Sequence, residues 1–512
     1  MPRWLFLVRI TLSEIRAFDY CQMLACDRDP DQRSTDAAIL RGDRRVKRFL
    51  RPALLAAAFA AFTPSSSSAA EPPAPAAAAP APPVVAAPPA APLPPRALPE
   101  YDGRPPAATT AGEALLWVPR VILFPVHGVY EVGVRRPLGW LTVAAESGKW
   151  AEVLKDVFTF GPSNNIGVVP TALLDFGFRT SVGVYAFYDD FLVKDNSLRV
   201  HAGFGGTDWL RLTVGDYIPF GKSAYLKIRG EASRRPDFFF FGIGPTSQRE
   251  ARSRYGADWL DGSATFHAAL PSRLTVDAYA GVKTASFYDV RCCGDFSVHA
   301  SVKRSAFPLP PAYEEGYTGF RSGVKLAFDN RRPRPEPGSG VRLEGNVAYG
   351  ADLRAPQVSS WVKYGGAIGG FVDVTGHNHV LSLSATALFV DPLKDEPIPF
   401  IELVSLGGNN PMGGFRDGRL LGRSAAVATF EYRYPIWAFL DGSAQLAVGN
   451  VFNEHLDGLE PKNLRLSFDF GVRMAGERDH SFSILVGAGS ETFGQGAHLN
   501  EARLLLGATS GF

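Results

Sequence analysis

The stretch Pro399–Trp437, PFIELVSLGGNNPMGGFRDGRLLGRSAAVATFEYRYPIW, joins a proline- and glycine-rich loop to a strand. Its last third alternates: Phe430, Tyr432 and Tyr434 fall on one face, Thr429, Glu431 and Arg433 on the other. Successive side chains of a strand point to opposite faces. A wall with an aromatic side and a charged side suits a boundary between lipid and water.

The pattern recurs in both directions. Leu464, Leu466, Phe468, Phe470 and Val472 oppose Arg465, Ser467, Asp469, Gly471 and Arg473. Leu274, Val276, Ala278, Ala280 and Val282 oppose Thr275, Asp277, Tyr279, Gly281 and Lys283. A soluble sandwich alternates too, but three further features select a membrane barrel. The polar face carries both signs of charge and glycine, as a water-facing lumen does; aromatics gather near strand ends, as in Asp237–Phe241 and Tyr432–Trp437, where they read as interfacial girdles. The chain also stops inside an alternating strand, with Leu504, Leu506, Ala508, Ser510 and the terminal Phe512 on one face. No run of about 18 apolar residues offers a membrane helix.

Strands are expected to begin near Val168, Ser181, Ser197, Trp209, Ala224, Ala257, Leu274, Gly319, Val341, Trp361, Val380, Ser424, Gly442, Leu464, Ser481 and Ala502. The fold class is therefore all-β, a 16-stranded antiparallel transmembrane β-barrel over residues 165–512 with a short helical N-terminal segment. An even count puts both barrel ends in the periplasm and lets the first and last strands pair. The connection Asp391–Gly422 then joins strands eleven and twelve on the extracellular side.

Upstream, residues 1–45 show no periodicity and precede a secretory signal at 46–70. That signal has a basic start (Arg44, Arg45, Lys47, Arg48, Arg51), an apolar run Pro52–Phe62 and small residues Ser68, Ala69, Ala70. Translation from near Val46 is expected, which makes 1–45 a non-native extension. Residues 71–98 are almost wholly Pro and Ala, an extended spacer of roughly 85 Å. Residues 99–164 read as a periplasmic helical segment, with a helical pattern from about Leu141 to Phe158.

The net charge of +2 implies no nucleic acid partner and no acidic substrate. Of four cysteines, Cys292 and Cys293 remain after the signal, adjacent to each other, a pairing that an oxidising compartment permits. No Gly-x-Ser-x-Gly elbow, phosphate loop or Cys-x-x-Cys is present, so neither an enzyme nor a cofactor is expected. His377 and His379 flank Asn378 in a turn with no third metal ligand nearby.

The loop motif Gly407, Gly408, Met412, Gly413, Gly414, Phe415 ahead of an alternating strand resembles the BamA/TamA family, the bacterial surface antigen barrels. So do Phe241–Pro245, the Asp329-Asn330-Arg331 element followed by Pro337, Gly338 and Gly340, and the strand from Asn463 to Arg473. The resemblance covers about residues 165–512. It implies that the loop folds back into the barrel, where an arginine of its tetrad meets acids on strands twelve to fourteen. Here Gly413 stands at the arginine position and Ala447 at the strand-thirteen acid. Losing both halves of a lock together is nearly neutral, whereas losing one strands a charge. A replaced lock is expected, in which Arg416, Arg419 and Arg423 meet Glu431 or Asp469 in the lumen.

Family members that fold or secrete clients carry POTRA modules ahead of the barrel, and residues 99–164 show no such repeated order. The resemblance leaves two roles open. One is outer-membrane protein or lipid assembly and translocation through a weak seam between first and last strands. The other is a transport pore gated by the loop. It also implies residence in the outer membrane of a Gram-negative bacterium among lipids including lipopolysaccharide, insertion by the barrel assembly machinery with Phe512 as signal, and a client protein or lipid.

Overall fold

A sheet immersed in lipid cannot leave a row of backbone donors and acceptors unpaired, so it must close on itself. The computed structural model describes residues 27–28, 139–140, 143–144, 147–148 and 156–510, apart from 162, 176, 292–293, 332–337, 355–358, 409–410, 438–439 and 475–479. Sixteen strands among the described residues form one closed antiparallel barrel. They are β1 Ile166–Asp175, β2 Ser181–Asp189, β3 Ser197–Gly206, β4 Trp209–Phe220, β5 Ala224–Phe240, β6 Ser253–Leu270, β7 Leu274–Arg291 and β8 Tyr317–Asp329. The second half runs β9 Gly340–Asp352, β10 Ser360–Asp373, β11 Val380–Pro392, β12 Ser424–Trp437, β13 Leu440–Phe452, β14 Arg465–Met474, β15 His480–Ser490 and β16 Leu499–Ser510. Each strand pairs with the next in sequence, and β16 returns to β1.

The alternation read from the sequence is the alternation of faces. Leu383, Phe430, Leu446, Phe468 and Phe470 are exposed on the outer surface, while Ala425, Val427 and Ala447 on the opposite faces are buried. The largest differences in strand start are at β6, which begins at Ser253 rather than near Ala257, and β16, which begins at Leu499 rather than near Ala502. Strands β5, β6 and β7 are 17, 18 and 18 residues long, against 14 or fewer for the others. Their extra length stands at the end of the barrel that carries the long connections.

That loop end corrects one expectation. Phe239, Phe240 and Phe241 are buried, not turned to lipid. Phe240 packs edge-on against Phe307 and Phe400, with ring centroids 4.9 and 5.7 Å apart. Phe239 lies 5.1 Å from Phe178 and under the Arg254 guanidinium. The run of aromatics therefore builds the interior of a cap made by the loops. At the turn end, Tyr432 stacks on Tyr434 and its hydroxyl meets His379 Nδ1 at 2.7 Å.

Closure is uneven. Among the described residues, β1 and β16 pair only through Leu505–Asp175, Leu506–Leu174 and Gly507–Leu173. Every other neighbouring pair runs over seven residues or more, as in β14–β15. Gly507 has φ +141°, and a Cβ there would lie 2.4 Å from the Ala172 carbonyl oxygen, so the seam admits only glycine at this point. Below the seam Thr159 and Phe160 pair with Gly167 and Ile166, a two-residue hairpin arm on β1. The expected signal (46–70), the expected linker (71–98), most of the expected helical segment (99–164), Cys292, Cys293, Pro337 and Phe512 lie outside the described residues.

Candidate functional site

Residues 393–423, between β11 and β12, form an inward loop. Phe400 seats its descending arm among Tyr255, Phe287 and Tyr313, with ring centroids 5.4, 4.8 and 6.1 Å away. Beside it the buried Glu402 accepts hydrogen bonds from the Tyr317 hydroxyl and, at 2.5 Å, from Lys363 Nζ. Burial opposes ionisation of Glu402, but Lys363 and Lys283 outweigh it and hold the carboxyl down at about 2. Val404–Leu406 then pairs with Leu420–Gly422 as a small ribbon.

The ribbon's tip carries the sequence motif. Gly407 and Gly408 turn the chain so that Gly408 N donates to the Phe415 carbonyl at 2.9 Å, and Phe415 N donates to Met412 O at 3.0 Å. Met412 and Phe415 are fully buried in one apolar cluster with Val427, Ala447 and Val451. Gly414 presses on the β14–β15 wall: its N–H donates to Ser467 Oγ at 2.9 Å, and a Cβ would lie 2.2 Å from Ala488 O. Ala447, the expected acid position, is thus part of the apolar seat.

Two of the loop arginines meet acids other than the expected ones. Arg416 lies 3.6 Å from Glu501 and donates to Ala502 O at 3.1 Å. Arg419, fully buried, contacts Glu501 at 3.2 Å and Glu491 at 3.5 Å, and donates to Ser247 Oγ at 2.9 Å. Arg465 on β14 completes the group by donating to Glu491 at 2.7 Å. Glu491 is held below its ordinary range: burial opposes its charge, while Asn500, Arg419 and Arg465 favour it more. Planar guanidiniums between carboxylates suit such a dry, hydrogen-bonded site.

Neither Glu431 nor Asp469 receives a loop arginine, which corrects the expected pairing. Glu431 is already flanked by Arg433 at 3.1 Å and Arg473 at 2.8 Å. Asp469 lies under the loop backbone, its Oδ2 2.9 Å from where a Cβ on Gly413 would sit, and the Arg416 side chain reaches Glu501 and the Ala502 carbonyl instead. Arg423 does not enter the lumen lock. It stands at the rim, 3.2 Å from Asp391 and 2.6 Å from Glu454.

Reading the sequence missed Arg465, Glu491, Glu501 and Arg503. Arg503 on β16 donates from Nη2 to Asp175 on β1 at 3.1 Å, and from Nη1 to the carbonyls of Gly408 and, at 3.3 Å, Gly413. Two sequence elements converge on one atom here. The Pro245 carbonyl of the Phe241–Pro245 element accepts from Asn450 at 2.9 Å and Arg465 at 3.3 Å.

Residues 298–476 match the Omp85 superfamily domain. No curated protein matches the chain. Among solved structures, the chain is similar to BamA from Haemophilus ducreyi lacking POTRA domains 1–3, at 14% identity and TM-score 0.47, over 67% of this chain and 70% of that one. It is also similar to CdiB from Acinetobacter baumannii, at 10% identity and TM-score 0.43, over 67% of this chain and 59% of that one. CdiB from Escherichia coli gives 12% identity and TM-score 0.42, over 66% and 62%. The chain thus spans less than two thirds of either CdiB. The residues that match the Omp85 superfamily domain, 298–476, thus run from α-helical Val298 through β8 to the end of β14 of a closed sixteen-stranded barrel.

Proposed function

We propose that the protein assembles or translocates another protein or a lipid in the outer membrane of a Gram-negative bacterium, working through the β1–β16 seam. The observation that carries this reading is the seam itself, three residue pairs among the described residues where every other junction has seven or more. Short pairing leaves strand edges available to an incoming chain. The loop end faces the outside and its surroundings include lipopolysaccharide; the chain arrives by its signal peptide and is inserted by the barrel assembly machinery. The role involves no catalytic step, cofactor or nucleic acid. A strain carrying Leu174→Cys and Leu506→Cys tests it, with the other cysteines replaced. Oxidation across the seam is expected to reproduce the outer-membrane protein or lipid defect of a deletion strain. If the oxidised strain matches wild type while the deletion strain does not, the reading fails.

The seated loop favours a second reading, a transport pore that the loop gates. Opposed charges such as Arg321–Asp261 at 2.6 Å and Lys325–Glu344 at 2.9 Å line the strands, as in a water-filled lumen. Deleting Met412–Arg423 then raises single-channel conductance in planar bilayers, while an unchanged conductance removes this alternative.

A further inference from the structure

The loop grips the seam strand. Three consecutive residues of β16 hold the tip: Glu501 takes Arg416 and Arg419, the Ala502 carbonyl accepts from Arg416, and Arg503 donates to the Gly408 and Gly413 carbonyls. These residues lie just above the last seam pair, Leu505–Asp175. Over this stretch β16 has β15 on one side and, among the described residues, no strand on the other.

Arg503 belongs to both contacts at once. Its side chain is buried; Nε and Nη2 sit on the Asp175 carboxylate at 3.3 and 3.1 Å, and Nη1 faces the loop. A guanidinium is planar, with its donors in a fixed fork. Lifting the loop leaves buried donors of Arg503 unpaired, and drawing β1 away leaves the same residue without its counter-charge. Either loss frees the fork to turn, so the contact that remains must fix an orientation that both contacts now hold together.

We infer that seating of the inward loop and closure of the β1–β16 seam are a single coupled equilibrium, with Arg503 as the positioning residue that joins them. The coupling holds whatever cargo the barrel serves. It is reciprocal: whatever unseats the loop loosens the seam, and whatever fixes the seam holds the loop by the same factor.

Hydrogen exchange on the full chain in lipid nanodiscs reads both ends at once, through peptides covering 404–422 and those covering 171–175 and 503–508. Gly414→Val unseats the tip at the β14–β15 wall without altering any β16 side chain. It is expected to speed exchange about tenfold in the seam peptides as well as in the loop. Arg503→Gln is expected to do the same to both. The Leu174→Cys/Leu506→Cys disulfide in an otherwise unchanged barrel is expected to slow loop exchange by a similar factor. Heat-modified gel mobility verifies that each variant is a folded barrel, and should Gly414→Val not fold, the disulfide arm decides alone. Loop exchange that rises in Gly414→Val with seam peptides at the wild-type rate overturns the inference, as does a seam disulfide that leaves loop exchange unchanged. Neither readout involves a cellular phenotype, so a failed assembly role and a failed coupling are separately visible.

Discussion

Arg419 has no solvent contact and is held by Glu501, Glu491 and Ser247. Arg419→Ala leaves two glutamates short of a counter-ion in a dry site. Breaking a buried pair from one side costs about 3–5 kcal/mol. The expected outcome is a lower urea midpoint for the folded barrel, read by gel mobility. Arg423→Ala, at the rim beside the exposed Glu454, is expected to cost less than about 1 kcal/mol and so to move the midpoint little. Acid acts on the same loop through Glu491 and Glu402, both held below the ordinary glutamate value of 4.5. A depressed carboxyl adds stability above its unfolded pKa and loses it as pH falls through the folded one. Pepsin cleavage within residues 398–422 is therefore expected to rise as pH drops below 4.5, and to approach its limit near 2, where Glu402 takes up its proton. Arg416 and Arg419 were legible in the sequence as loop cations. Their partners were not, because the choice between Asp469 and Glu501 depends on how the tip lies on the wall. Gly413 covers Asp469, and only the folded tip shows that.

At the scale of elements, the strands were the most legible part. Lipid on one side and water on the other enforce a period of two along each strand, so starts such as Ser181, Ser197, Trp209, Ala224, Leu274, Val380 and Ser424 coincide with the observed ones. Asp237–Phe241 was misread for a physical reason. A run of phenylalanines looks the same facing lipid or facing a loop, and its partners Phe307 and Phe400 are distant in sequence. The connection between β7 and β8 carries the helix α1 (Val298–Lys303), capped by Ser297 Oγ, which accepts from Ala300 N. His299 on α1 contacts Asp289 at 3.1 Å and Glu314 at 3.0 Å. Burial lowers its pKa, but these two carboxylates outweigh burial and raise it above 6.5. A raised histidine stabilises fully below its unfolded pKa and loses that contribution as pH rises through the folded value. Proteolysis within residues 294–316 is expected to increase from pH 6 to pH 8.5, and His299→Gln is expected to flatten the dependence.

Taken whole, the barrel is asymmetric about its axis. The long strands β5–β7 stand away from the seam, which has three residue pairs among the described residues. Filling the seam is a direct probe of that asymmetry. Gly507→Ala places a Cβ 2.4 Å from the Ala172 carbonyl oxygen at φ +141°, and is expected to destabilise the barrel by at least the roughly 1–3 kcal/mol of a strained backbone site, read as a lower thermal midpoint. A comparable Gly370→Ala change, where a Cβ meets nothing within 4 Å, is expected to be silent.

The hairpin arm Thr159–Phe160 gives the molecule a mechanical property. It pairs with Ile166 and Gly167 on the same strand that forms one lip of the seam. Because the arm folds back antiparallel beside β1, tension on the chain upstream of Thr159 loads its bonds one after another, as a peel, rather than all together in shear. Such a joint yields at low force. Once it is open, further tension passes into the base of β1 through the linker residues and acts on the lip itself. Traction from outside the barrel thus has a defined point of application, with a weak fuse in front of it.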